Sequence, residues 1–313
     1  MKKSVVILGL AMLGLTACQK FQEGGGGMQY KIIKDNGQPK IQEGDFISVG
    51  AIIKTEGDSL LMSTYDSGQP TYMAAQKPAY EGDIMSALLK LGSGDSAVFK
   101  FNIDSMVSKG IPKPEGIAGT HLVYTFKINH VIPKGELADS VFHAQVETYI
   151  AAEQEKVKNA EAGIIEKYIK DEKLATKSTA SGLQYVVETE GKGATAKVGD
   201  TVEVNYTGRF MNGAQKAFDT SIEEVAKKEG GNVYNPQRPY EPIKIPVGLG
   251  AVISGWDEGL QLLPEGSKAK LIVPSKLAYG EQGAMGAIAP YTPLVFEIEV
   301  IKVIPQKGET PTN

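Results

Sequence analysis

The sequence predicts an α+β fold built twice along one chain of 313 residues. Three observations carry that reading. A spaced set of residues recurs at a constant offset, β-branched alternating runs recur with it, and one long amphipathic stretch separates the two copies. At roughly 100–200 residues per domain, the length itself suggests two domains with a connecting element. Hydrophobic residues at 42% and charged residues at 22% are ordinary for a globular chain and argue against global disorder.

Residues 1–18 form the first element. Two lysines precede an apolar run from Val5 to Leu15, too short to span a bilayer as a helix and arranged like a signal peptide. Leu15-Thr16-Ala17-Cys18 resembles the bacterial lipobox, which predicts a signal peptide over 1–17 and a lipidated Cys18. Several acyl chains on one residue give stable anchoring at about 0.8 kcal/mol per buried CH₂. Gln19 in place of Asp, by analogy with lipoprotein sorting, favours the outer membrane over the inner one. Gly24–Gly27 completes a flexible tether over 18–27.

The repeat follows. Gln29-Tyr30 and Gly44-Asp45 recur as Gln184-Tyr185 and Gly199-Asp200, at a shift of 155. Leu91, Gly94, Ala97, Leu122-Val123-Tyr124 and Val131-Ile132-Pro133 recur as Leu263, Gly266, Ala269, Leu294-Val295-Phe296 and Val303-Ile304-Pro305, at a shift of 172. The difference places an insertion in the second copy near residues 220–242. Thr201–Tyr206, Ala269–Val273 and Leu294–Ile304 read as half-buried strands, and 255–263 as a short helix, which together make a sheet wrapped over one helix. Within the insertion, Ser221 to Glu224 fits a capping box, predicting a helix over Ile222–Lys228 ended by Gly230-Gly231. Val157, Ala160, Ile164, Ile165, Tyr168 and Ile169 give the stretch 135–178 helical periodicity. It reads either as a solvated spacer with one docked face or as a dimerisation arm over 136–173.

Composition excludes several classes of function. A formal net charge of −4, with both signs interspersed, leaves no footprint for nucleic acid. One Cys excludes an internal disulfide and a multi-thiolate metal site. His121, His130 and His143 lack metal-ligand spacing, so neither metal nor cofactor is expected.

Five ordered blocks in the second copy carry a resemblance. They are Val204-Asn205-Tyr206-Thr207-Gly208, Ala217-Phe218-Asp219-Thr220-Ser221, Val252-Ile253-Ser254-Gly255-Trp256-Asp257-Glu258-Gly259, Ala278-Tyr279-Gly280 and Leu294-Val295-Phe296. This pattern resembles the FKBP-type peptidyl-prolyl cis-trans isomerases over residues 179–306. The resemblance implies two FKBP-like α+β domains, a degenerate one at 28–134 and an isomerase at 179–306, with 307–313 as a tail. It implies a site in which Tyr206, Asp219, Trp256 and Tyr279 act on the substrate. Phe218, Ile243, Val252, Ile253, Ile288 and Phe296 would bind it, with Trp256 as the floor. The implied partners are proline-containing unfolded or partly folded polypeptides. With the lipobox, the implied location is the bacterial cell envelope, on the outer membrane facing the periplasm. The rival reading is a chaperone-like binding lipoprotein without catalysis. The first copy loses Tyr206, Trp256 and Tyr279 to Ala51, Ile84 and Val107, and Tyr65-Asp66 reads as its counterpart of Phe218-Asp219.

The physics suits such a pocket. An X–Pro bond rotates over a barrier of roughly 20 kcal/mol. A 10⁵-fold acceleration needs only about 7 kcal/mol of differential stabilisation. The twisted amide is less dipolar than the planar one, so a cavity that excludes water favours it without a nucleophile.

Overall fold

The computed structural model describes residues 20–306 apart from 67, 114–118, 214, 231–232 and 285–286. Cys18, the signal segment and the tail 307–313 lie outside the described residues.

The alternating runs form two antiparallel sheets of seven strands each. The first comprises β1 (Gln22–Glu23), β2 (Gln29–Lys34), β3 (Phe46–Thr55), β4 (Leu60–Ser63), β5 (Thr71–Ala74), β6 (Ser96–Asn102) and β7 (His121–Ile132). Its order is β1-β2-β6-β7-β3-β4, with β5 also on β3. Helix α1 (Ile84–Leu88) and helix α2 (Ile103–Ser108) flank β6 in sequence. After helix α3 (Asp139–Asp171) the second sheet comprises β8 (Lys177–Ser178), β9 (Gln184–Thr189), β10 (Thr201–Phe210), β11 (Ala217–Thr220), β12 (Ile243–Pro246), β13 (Lys268–Val273) and β14 (Leu294–Ile304). Its order, β8-β9-β13-β14-β10-β11 with β12 also on β10, repeats the first strand for strand. Helix α4 (Glu223–Glu229) lies in the insertion, and helix α5 (Ser254–Leu260) precedes β13. Mixed helix and antiparallel sheet is thus the class observed.

Each sheet buries one face against its own helix. Leu88 and Leu91 in the first unit and Leu260 and Leu263 in the second are fully buried. In α5, Gly255 and Gly259 lie one turn apart and face β13. A Cβ on either would fall 2.5–2.6 Å from Val273 or Leu271, so only glycine lets the helix settle this close to the sheet. That close approach sets the height of Trp256 above the strands.

Register tests the repeat. Ala51 pairs with Phe126 and Tyr206 with Ile298, so Ala51 does occupy the place of Tyr206. The hairpin edge corrects a different expectation. Thr64 Oγ1 accepts from the Ala51 amide as Ser221 Oγ accepts from the Tyr206 amide, and Met62 pairs with Ile53 as Asp219 pairs with Gly208. Leu61 and Met62 therefore stand where Phe218 and Asp219 do, and Tyr65-Asp66 lies beyond the strand. Dipeptide similarity had aligned a turn with a strand. The same registers place the insertion between Thr220 and Ile243, where the first sheet passes directly from Ser63 to Thr71.

Helix α3 runs unbroken through Gly163 for 33 residues, about 50 Å at 1.5 Å per residue. Its first half packs Phe142, with Val146, Tyr149 and Ile150, on Phe46 and Ile132 of the first sheet. Its second half packs Ile165 and Tyr168 on Met211, Ile272 and Val295, the outer face of the second. This covering explains why β14 carries a buried apolar residue on its outer face: Val295 faces the helix while Phe296, Ile298 and Val300 face the core. Ile165 and Tyr168 of the expected stripe thus dock on the chain's own second sheet, as the docked-spacer reading expects, while Val157 and Ala160 stay outside both clusters.

Candidate functional site

A cavity of about 500 Å³ opens between β10, β11, the loop before α5 and the segment after β13. Tyr206, Phe218, Asp219, Ile243, Val252, Ile253, Trp256, Tyr279 and Phe296 line it, with Ala251. Nine of the ten residues expected at the pocket therefore converge on one hollow. Ile288 does not line it; its side chain is buried in the core behind the wall, packed with the same cluster. A β-branched residue reads alike in sequence whether it lines a hollow or backs one.

Each wall has a local cause. Trp256 is 4% exposed and meets Tyr206 and Phe296 in edge-on contacts, each with ring centroids 5.2 Å apart. Its indole N–H is buried without an acceptor among the described residues, so packing alone holds the ring. Phe218 stands edge-on to Phe296 at 5.7 Å. Both rings close over Gly208, where a Cβ would lie 2.5 Å from Phe218 and 2.9 Å from Phe296. Asp257 holds the loop carrying Ala251, Val252 and Ile253, its carboxylate accepting from the amides of Gly248 and Gly250 at 3.0 and 2.7 Å. The glycines of this stretch serve that loop, as their positive φ of 75° and 69° requires.

The polar side of the cavity is one network. The Tyr206 hydroxyl donates to Asp219 Oδ2 at 2.5 Å, and Asp219 Oδ1 accepts from Arg238 Nη1 at 2.5 Å. The second guanidinium nitrogen of Arg238 donates to the Tyr206 oxygen at 3.3 Å. One planar fork thus spans two partners, which a lysine ammonium could not do with the same geometry. Burial, reinforced by the bond to Asp219, pushes the Tyr206 hydroxyl up to about 12. Burial tends to lower the Arg238 value, yet the bonds to Asp219 and Tyr206 outweigh it and raise it.

Arg238 is the residue that sequence reasoning missed. It sits in the insertion, on a turn where Asn235 accepts from the Gln237 and Arg238 amides, and its guanidinium lies 5.5 Å from the Tyr240 ring. Tyr240 stacks on Tyr234, so the insertion is a folded bracket for this cation. One signal was present: the chain has only two arginines, Arg209 and Arg238, against many lysines. Helix α4 also forms as expected and stops at Gly230, but without the capping box. Ser221 Oγ is taken by the Tyr206 amide at 2.9 Å, and Ile222 becomes the first flanking residue.

Tyr279 stands at the rim, 38% exposed, and burial of the rest of its ring raises its hydroxyl above the usual value. It follows a 3₁₀ turn, Ser275–Leu277, whose first residue is gripped by α3. Glu161 accepts from the Ser275 amide at 2.5 Å and from its hydroxyl at 2.7 Å. The arrangement is an apolar hollow with one anchored acid and one phenol without a hydrogen-bond partner among the described residues, suited to orienting an amide and excluding water.

Comparison with known proteins agrees with that geometry. The family model for FKBP-type peptidyl-prolyl cis-trans isomerases matches residues 192–301. A probable FKBP-type isomerase of Haemophilus influenzae is 42% identical over 130 residues, 42% of this chain and 46% of that one. The FkpA isomerase of Aeromonas hydrophila is 41% identical over 158 residues, and this chain spans about half the length of either protein. FkpA of Escherichia coli K12 is 32% identical over 246 residues, 77% of this chain and 83% of that one. The crystal structure of Escherichia coli FkpA covers 55% of this chain and 76% of its own, at 35% identity and a TM-score of 0.42. With a third of residues shared over most of a full-length relative, the chain belongs to the FKBP-type peptidyl-prolyl cis-trans isomerases.

Proposed function

We propose that this chain catalyses cis–trans rotation about X–Pro bonds in unfolded or partly folded polypeptides, within the cavity floored by Trp256. The observation that carries the reading is the convergence of Tyr206, Asp219, Trp256 and Tyr279 on one apolar hollow. The prolyl ring packs on the indole between Phe218, Val252, Ile253 and Phe296. The Tyr279 hydroxyl donates to a substrate carbonyl and fixes its orientation. Asp219, held by Tyr206 and Arg238, presents a fixed negative edge to the rotating amide. Removing water from the amide favours the twisted, less dipolar state over the planar one, and no covalent step is required.

The first unit supports no such chemistry. Ala51 replaces Tyr206 and Met62 replaces Asp219 in register, while Ile84 and Val107, offered for Trp256 and Tyr279, are exposed. We read it as a degenerate FKBP-like copy, and Cys18 as a lipid attachment point that tethers the protein in the cell envelope, on the outer membrane. The test is a protease-coupled assay of the full chain on an X–Pro tetrapeptide, beside an Asp219→Leu, Trp256→Ala double variant. A rate above the spontaneous one that disappears in the variant is expected. No acceleration by the folded protein overturns the reading and leaves a binding role for the same cavity.

A further inference from the structure

The edges of the two sheets face each other. β4 ends the first sheet and β11 ends the second, and both line a second cavity of about 550 Å³. Leu61, Met62 and Tyr72 form one wall of this cleft, and Phe210, Phe218 and Val233 the other. Two contacts set its width. Lys216 Nζ donates to the Leu60 carbonyl at 2.7 Å, and Gln69 Nε2 donates to the Pro290 carbonyl at 2.7 Å.

Two features show what the cleft accepts. Phe218 lines both this cavity and the one floored by Trp256, so the two hollows are neighbours on either side of a single ring. Met62, at the register position of Asp219, places an apolar side chain 43% exposed in the cleft where the second unit carries its acid. An exposed methionine is a flexible, polarisable contact that adapts to varied apolar partners. Sheet edges offer main-chain groups to an extended chain, and apolar pockets beside them take alternate side chains.

We propose that the cleft binds the extended, apolar segment of the polypeptide that flanks the isomerised proline, so that the first unit serves as a substrate-binding arm for the site of the second. The proposal rests on the isomerase reading and names the part of the substrate that reading leaves unplaced. Length gives the discriminating variable. An extended tetrapeptide spans about 13–14 Å and is filled by the proline cavity and its rim, whereas ten residues span about 33–36 Å and cross into the cleft.

The experiment compares the full chain with Met62→Asp and Met62→Ala on two substrates, an X–Pro tetrapeptide and a decapeptide with one proline and leucines on both sides. Met62 is exposed and does not line the proline cavity, so both variants are expected to fold and to keep the tetrapeptide rate. On the decapeptide, Met62→Asp is expected to raise KM about fivefold to tenfold, and Met62→Ala less. A parallel anisotropy titration uses the same decapeptide with its proline replaced by alanine, which binds without turnover, and the same ordering of affinities is expected. Equal losses on both substrates, or no loss on the decapeptide and no change in anisotropy, overturn the proposal. If the unmodified protein accelerates neither substrate, the isomerase reading fails and the titration alone decides the cleft. A protein-concentration dependence of the titration without a Met62 effect assigns the cleft to a second copy instead.

Discussion

Tyr279→Phe separates orientation from desolvation. The Tyr279 hydroxyl has no protein hydrogen-bond partner among the described residues, whereas that of Tyr206 donates to Asp219. Deleting the Tyr279 oxygen therefore breaks nothing within the fold, and stability is expected to stay within about 0.5 kcal/mol of the parent. In the substrate complex it removes one neutral hydrogen bond, a net contribution of about 0.5–1.5 kcal/mol, or about 2- to 13-fold in kcat/KM. The assay is protease-coupled turnover of an X–Pro tetrapeptide, with urea unfolding of both proteins in the same buffer. A loss of stability above about 1 kcal/mol means that the hydroxyl works inside the protein, not on the substrate. A rate loss larger than that of Trp256→Ala means that polar orientation outweighs the apolar floor, and the desolvation account falls.

Trp256→Ala is expected to lower kcat/KM at least tenfold and to cost about 3–5 kcal/mol of stability, since the ring is buried against Tyr206 and Phe296; calorimetry shows where the variant is still folded for assay. Arg238→Met leaves Asp219 with the Tyr206 hydroxyl and no cation, and with both side chains about a third exposed the stability cost is expected near 1 kcal/mol, read from urea midpoints. Activity is expected to be flat from pH 6 to 8 because neither Tyr206, pushed up to about 12, nor Tyr279, raised by burial, ionises there; a bell-shaped profile centred near neutrality refutes this. Tyr72, Tyr168 and Tyr206 all rise to about 12, chiefly through burial, so the fold favours their neutral forms. That stabilisation is complete below pH 10 and lost as pH climbs from 10 towards 12, an alkaline fall measurable by urea midpoints beside tyrosinate absorbance.

Much of the site was legible because its residues lie in short contiguous blocks whose types match their duties. Tyr206 alternates inward on a strand, and Trp256 lies on a helix between two glycines that bring it against the sheet. What escaped notice depended on partners distant in sequence. Arg238 acquires its meaning only when the turn around Asn235 carries it 19 positions back to Asp219. Ser221 carries a helix-capping side chain, yet a backbone amide on the neighbouring strand claims it. Tyr65-Asp66 resembles Phe218-Asp219 in letters, but hairpin register decides the match and selects Leu61-Met62. The repeat itself was visible in spacing, and the shared strand order of the two sheets gives that spacing its physical basis.

Helix α3 bears on where this chain can be cut. A second unit excised at residue 179 loses Ile165 and Tyr168, leaving Met211, Ile272 and Val295 bare to water. It also loses Glu161, the clamp on the turn that leads to Tyr279. Such a fragment would present a greasy flank and a slackened rim, and a weak rate from it would report the damage of truncation and not the capacity of the cavity. A fragment beginning at the first turn of the helix keeps both supports. Limited proteolysis should show the same boundary, with the second half of α3 surviving digestion attached to the sheet it shields.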